Sequence, residues 1–172
     1  MSKWLTLLNE LKGRSPRDYF TETQLAMYQK LIERLDLPGQ IVNLSGAHGA
    51  GKTFVAWGLS RISGAQYLPM PNMLYDETTQ YNLEGGTVLI DNAPTQEEDV
   101  RQLLAQCGLL NINSVMMITV RPVSLKMHRM ELTLPTLTET DRVLKNLRHL
   151  GFYSYVSLPP ESNFWQILQA CV

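Results

Sequence analysis

Charge is scarce in this chain. Asp, Glu, Lys and Arg make up 18 % of its 172 residues, against about 25 % in ordinary soluble domains. The apolar fraction is ordinary, so the shortage of charge points to surface that a partner covers. The charges that are present nearly cancel, to −1, which excludes a global attraction to nucleic acid or an anionic membrane and leaves only local patches for such contacts. Long hydrophobic runs are missing too. Asn9, Glu10 and Lys12 interrupt the apolar N-terminal positions, and no stretch approaches the ~20 apolar residues of a membrane span. A cytoplasmic protein with no membrane contact is the expectation. Cysteine is rare: Cys107 and Cys171 lie far apart without a Cys or His at metal-ligand spacing, and His48, His128 and His149 are isolated, so the thiols are expected to be plain buried or surface groups. Repeats and low-complexity segments are absent, and the length suits one domain with a sizeable core.

What the chain does have is concentrated in Ile41-Val-Asn-Leu-Ser-Gly-Ala-His-Gly-Ala-Gly-Lys-Thr53. A short apolar strand leads into a glycine-rich turn, and a Lys-Thr pair opens a helix carrying Phe54, Val55, Trp57 and Leu59. This spacing is the complete G-x-x-x-x-G-K-[ST] phosphate loop. Gly46, Gly49 and Gly51 let the backbone turn its N–H groups inward, while Ala47, His48 and Ala50 complete the cradle. Lys52 is expected to reach the β/γ-phosphates, Thr53 to hold Mg²⁺, and Phe54 to lie beside the nucleotide in the first helical turn. The positive end of the helix faces the same phosphates.

Trp4, Leu5, Leu7, Leu8 and Leu11 recur at helical spacing before Gly13 and Ser15-Pro16, which predicts a short leading helix. Thr21-Glu-Thr-Gln24 reads as a capping box, with Phe20 and Leu25 as a hydrophobic staple, for a helix that Pro38-Gly39 ends. After the phosphate-loop helix, Gln66–Met70 reads as a second strand and the segment 71–84 is ambiguous. Thr87-Val-Leu-Ile-Asp91 is an apolar run closed by an acid, the pattern of a buried parallel strand ending at a site, and Asp91 is the natural second anchor for Mg²⁺ opposite Thr53. Thr95-Gln-Glu-Glu98 predicts a further capped helix, whose acids Glu97, Glu98 and Asp99 are read as helix-stabilising rather than catalytic. A strand over 114–120 follows, ending at Arg121-Pro122. Beyond it come the basic stretch Lys126-Met-His-Arg129, a final strand over Met130–Leu134 and a helix signalled by Thr138-Glu-Thr-Asp141. Alternating apolar strands and helices imply a parallel sheet with helices on both faces, gathering Ser45, Asp91, Thr119 and Arg121 at the strand ends where such sheets bind ligands.

Several strings in order, Tyr67-Leu-Pro-Met70, Val88-Leu-Ile-Asp-Asn92, Ile118-Thr-Val-Arg-Pro122 and Leu137-Thr-Glu-Thr-Asp141 through His149-Leu-Gly-Phe152, accompany the phosphate loop. Over roughly residues 40 to 155 the chain thereby resembles the additional-strand P-loop NTPases, and within them the AAA+ core of the replication initiator DnaA and its regulatory paralogue Hda. The resemblance implies ATP or ADP held by residues 46–53, Mg²⁺ assisted by Asp91, Thr119 near the polar sensor of the γ-phosphate, and Arg129, or failing it Lys126, as an arginine-finger equivalent. It implies partners as well: another NTPase subunit or a second copy, with DNA met only indirectly. The pattern departs from the family at Asn92, which stands where the catalytic glutamate belongs and whose amide takes no proton from water. Slow hydrolysis is the consequence. No Lys or Arg follows Arg148, so the lid with its sensing arginine is expected to be reduced to the aromatic tail or missing.

The expected architecture is α/β, an AAA+-like P-loop core with a parallel sheet of about five strands. Its parts are an N-terminal helical segment over 1–39 packed on the core, the NTPase core over 40–150, and a short aromatic tail or vestigial lid over 151–172. A regulatory subunit acting by nucleotide-dependent association is the first reading, and a nucleotide-locked adaptor, whose bound state displays a surface to a larger protein, is a separate class. A further class is a small P-loop kinase, which needs an acid after its second strand and a basic lid; Pro69-Met-Pro-Asn72 supplies no such acid.

Overall fold

A computed structural model describes residues 3–13, 19–80, 82–153, 157–159 and 161–172. Five strands form one sheet: β1 (Ile41–Ser45), β2 (Gln66–Leu68), β3 (Thr87–Ile90), β4 (Ser114–Ile118) and β5 (His128–Glu131). Their order is β2-β3-β4-β1-β5, and every pairing is parallel. The strand of the phosphate loop and the acid-ended strand are therefore not neighbours; β4 lies between them, with all five of its residues buried. Two strands are shorter than expected. β2 stops at Leu68, ahead of Pro69, which has no N–H to give a ladder, and β4 stops at Ile118. The last strand begins at His128 rather than Met130: the end of the basic stretch, His128 and Arg129, opens the edge strand β5, where exposed charges are the usual guard against further pairing.

Alternation along the strands builds two cores. Val42, Leu44, Leu89, Met116 and Ile118 face α2 (Glu22–Leu35) and α3 (Lys52–Ser63), whose Tyr28, Leu31, Val55 and Leu59 fill that side. Val88, Ile90, Val115 and Met117 face the opposite way, onto Val100, Leu103 and Cys107 of α5 (Glu97–Leu109) and onto Leu74 in a 3₁₀ turn at Pro71–Tyr75. That turn and the single-turn α4 (Glu77–Gln80) occupy the ambiguous segment. Helices thus cover both faces of the sheet, as the sequence pattern implies.

Helix starts follow their caps, with two corrections. The Thr21–Gln24 box forms as expected, Gln24 N–H donating to Thr21 Oγ1 at 3.2 Å and Thr21 N–H to Gln24 Oε1 at 3.0 Å. The Thr95–Glu98 box does not: α5 is capped at Gln96 with no side-chain bond, and its start rests on the carboxylates of Glu97, Glu98 and Asp99 in the positive first turn. The helix signalled at Thr138 begins at Leu137 instead, as α6 (Leu137–His149), because Thr136 and Glu139 make the capping box.

A third apolar cluster joins α1 (Lys3–Gly13), α6 and α7 (Phe164–Ala170) through Leu7, Leu11, Leu147, Ile167 and Cys171. The segment expected as an aromatic tail therefore contains a helix, capped by its own Asn163–Gln166 box. Trp165 meets Trp4 edge-on at 4.7 Å between ring centroids. Ser15-Pro16 and Tyr155 lie outside the described residues. No described helix is long and apolar enough to cross a membrane.

Candidate functional site

Between the end of β1 and the start of α3 the chain turns through Gly46, Gly49 and Gly51, all at positive φ. At Gly46 a Cβ would run into the carbonyl of Leu132, and at Gly49 (φ 75°) it would come within 2.8 Å of three Asn163 side-chain atoms. Space as well as backbone conformation demands glycine there. Ala47 and His48 are exposed on the loop, whereas the Ala50 methyl is buried in the core beneath it. The Lys52 ammonium folds back over the loop and donates to the carbonyls of Gly46 (2.7 Å) and Ala47 (2.9 Å). Burial pulls its pKa below the ordinary lysine value, and the Asp91 carboxylate acts in the opposite sense. The result is a concave backbone turn with a cation in its mouth and a 12-residue helix behind it, an arrangement suited to a polyphosphate.

Asp91 stands beyond the end of β3, on the α3 side of the sheet, and its carboxylate is held from three directions. Oδ2 accepts from the Thr53 hydroxyl at 2.7 Å and from the Tyr67 hydroxyl at 2.7 Å, while Oδ1 accepts from the Asn92 N–H at 2.8 Å. Thr53 and Asp91 are hard oxygen donors side by side, which fits Mg²⁺ shared with phosphate oxygens. Among the described residues no group of three or more His, Cys, Asp or Glu could hold a metal by itself. Asn92 has φ 52°, a left-handed conformation that asparagine tolerates better than most residues. Its side-chain amide donates to the Pro69 carbonyl at 3.0 Å.

A cavity of about 1060 Å³ contains this arrangement. His48, Gly49, Gly51, Lys52, Thr53, Phe54, Asp91, Thr119 and Arg121 line it, so the loop, the acid and the residues ending β4 are brought together. Ser45 is buried and donates instead to the Met130 carbonyl at 3.4 Å. The Thr119 hydroxyl is largely committed, donating to Arg121 O at 2.7 Å and accepting from Asn43 Nδ2 at 2.8 Å. Arg129 does not line the cavity; exposed on the edge strand, it donates to the carbonyls of Ser124 and Leu125. Lys126 is exposed in the preceding turn. Among the described residues, the arginine that lines the cavity is Arg121.

Sequence reasoning missed several contributors. Asn43 is fully buried in β1 and ties the end of β4 to the next turn, its Oδ1 accepting from Val123 N–H at 2.9 Å; a polar residue inside an otherwise apolar strand was the available signal. Tyr67 stood in the string Tyr67-Leu-Pro-Met70, which gave it no role at Asp91. Asn163 and Phe164 carried no motif; their chain closes on the loop through Phe164 N–H to Gly49 O at 2.9 Å. Leu8 and Leu11 from α1, Leu147 and Leu150 from the α6 end, and Trp165 and Leu168 from α7 make the cavity's apolar wall.

Among solved structures, the chain is similar to a crystal structure of a DNA replication initiation factor, with a TM-score of 0.54 and 14 % identity over 77 % of this chain and 53 % of that one. The chain thus spans about half the length of that protein. The likeness is one of fold: a parallel α/β sheet with helices on both faces. No protein-family model and no curated protein sequence matches the chain.

Proposed function

We propose that this protein binds ATP or ADP with Mg²⁺ and works as an AAA+-like regulatory subunit of the DnaA and Hda kind, through nucleotide-dependent association and with weak hydrolysis of its own. In this reading the loop N–H groups of residues 46–53 take the phosphates, and Lys52 leaves the Gly46 and Ala47 carbonyls to join them. Thr53 and Asp91 would hold Mg²⁺, which when bound neutralises charge on the phosphate oxygens. The observation that carries the weak hydrolysis is Asn92: beside a complete loop and an oriented Asp91, the next residue offers an amide already bonded to Pro69 O, not a base for the attacking water.

Association is supported by the placement of charge. Arg129 lies outside the lining of the chain's own cavity, exposed on the edge strand β5, where it donates to the carbonyls of Ser124 and Leu125. An arginine there is available to a neighbour's nucleotide, a role that contributes 10³–10⁵ in rate in other NTPases. The partner is another NTPase subunit or a second copy, and any DNA contact is indirect. The replication role rests on the likeness in fold to a DNA replication initiation factor. Sedimentation without nucleotide, with ADP and with ATP, joined to a pull-down from the native host, tests the reading. A nucleotide-dependent assembly is expected; a strict monomer without protein partner in every state overturns it.

A further inference from the structure

Beside the phosphate loop, one side chain touches the candidate metal-binding carboxylate without belonging to any nucleotide motif. Tyr67 sits on β2, paired in parallel register with Leu89 of β3, and the Leu68 carbonyl accepts the N–H of Asp91 at 2.8 Å. Strand alternation therefore sends Tyr67, Leu89 and Asp91 to the same face, the one covered by α3. Thr53 opens that helix. Three donors from three places meet the carboxylate: Thr53 from the loop, Asn92 N–H from the adjoining residue, and Tyr67 from the neighbouring strand.

We propose that Tyr67 is the positioning residue of Asp91, and that its hydroxyl sets how strongly nucleotide binding depends on Mg²⁺. This inference rests on the nucleotide reading above. A threonine hydroxyl has one hydrogen; with it given to Asp91 Oδ2, the Thr53 oxygen presents only lone pairs to a cation. That commitment holds only while the carboxylate keeps Oδ2 turned to Thr53, and the Tyr67 hydroxyl, on the same oxygen at 2.7 Å, fixes that rotation. A phenol with an ordinary pKa of ~10 is protonated at neutral pH and donates its one hydrogen to Asp91 Oδ2. Its ring is itself placed by the edge-on Trp57 of α3, centroids 6.4 Å apart. Groups that orient metal ligands from behind typically contribute 10–100-fold in metal affinity.

The test is the ADP dissociation constant measured by calorimetry with Mg²⁺ and with EDTA, for the unmodified protein and Tyr67→Phe, which keeps the ring against Trp57. About a tenfold weakening with Mg²⁺ and none with EDTA is expected, the ratio of the two constants being the quantity that a merely structural role leaves unchanged. Mn²⁺ titration followed by electron paramagnetic resonance, in saturating ADP, reads the same loss directly at the ion. An unchanged Mg²⁺ dependence in Tyr67→Phe, or an equal loss with and without the ion, overturns the assignment while leaving nucleotide binding intact. No ADP binding by the unmodified protein in either condition overturns the nucleotide reading, and the Tyr67 assignment with it.

Discussion

The backbone N–H of Phe164 donates to the carbonyl of Gly49 at 2.9 Å, so the first residue of α7 is bonded to the middle of the phosphate loop. A helix more than a hundred residues downstream thereby helps hold the cradle. The preceding Asn163 packs on the bare Cα of Gly49, and the Phe164 ring on that of Gly51. Binding at the loop and packing of α1, α6 and α7 share this contact.

Ile167 is fully buried at the centre of that packing. Ile167→Ala is expected to cost about 2–5 kcal/mol of stability, the range for removing a buried isoleucine side chain, and to weaken ADP binding because α7 no longer holds the loop. Urea unfolding and calorimetry read the two effects. A loss of stability below about 1 kcal/mol, outside that range, would show that α7 is dispensable to the fold.

Gly49→Ala is expected to destabilise on two counts, strain at φ 75° and collision with the Asn163 side chain. A left-handed residue with a Cβ costs roughly 1–2 kcal/mol, and the collision adds to it. Asn163→Ala removes the two nearer colliding atoms, Cγ and Oδ1, and leaves the Cβ; it also removes the α7 cap, which by itself costs about 1 kcal/mol. If the two side chains compete for one space, the double variant loses less than the sum of the single ones. Strict additivity in thermal unfolding would separate the loop from α7.

Glu139 gives a dependence on pH. Its carboxylate caps α6, accepting from Thr136 N–H at 2.9 Å, and reaches across to Thr23 N–H of α2 at 2.8 Å. Burial alone would raise its pKa, yet the bonds from Thr136 and Thr23 bring it down to about 2, from an ordinary 4.5. The folded state therefore prefers the ionised form. The stability this contributes is fully present above pH 4.5 and is lost as pH falls from there to about 2. Glu139→Gln should be less stable at neutral pH, by about 1.5–3 kcal/mol if a charge-assisted bond is weakened, and should show a flatter stability curve over that interval. Parallel curves for the two proteins would remove Glu139 from the acid response.

How far the molecule can be read from its sequence depends on the distance over which each feature acts. The phosphate loop and the Thr21–Gln24 box are contiguous, so every group they need is within a few residues. The Thr95–Glu98 box has the same pattern and fails, because the helix begins after Gln96; the pattern alone does not say which of two adjacent residues caps. Tyr67 reaches Asp91 across 24 positions, and Asn163 reaches Gly49 across more than a hundred. Such contacts exist only once the sheet and α7 are in place. Arg129 shows the opposite case: a residue at a plausible sequence position that the edge strand carries away from the chain's own cavity.

Among the described residues, Lys52 is the one lysine that lines the cavity. Lys52→Ala is expected to abolish measurable ADP binding, since charge-assisted contacts are worth about 1.5–3 kcal/mol each. Its ammonium also bridges two carbonyls of the loop, so the folded state of the variant must be verified by circular dichroism. Unchanged affinity in a folded variant contradicts the role assigned to the loop.

The unmodified protein should turn over ATP slowly, and the reason can be isolated at position 92. Asn92 keeps a left-handed backbone, with φ 52°, and spends its amide on Pro69 O. Asn92→Glu supplies a carboxylate next to Asp91 but loses that bond and puts a longer side chain in a conformation that costs roughly 1–2 kcal/mol. General-base assistance is typically worth 10²–10⁴-fold, about 3–5 kcal/mol of barrier. The gain exceeds the penalty, so steady-state turnover is expected to rise about tenfold or more in Asn92→Glu and to stay low in Asn92→Ala, with ATP affinity measured alongside. Turnover of several per second in the unmodified protein contradicts the weak-hydrolysis reading. No rise in Asn92→Glu at unimpaired ATP affinity shows instead that the missing group lies elsewhere, and directs the search to an arginine supplied by a neighbouring subunit.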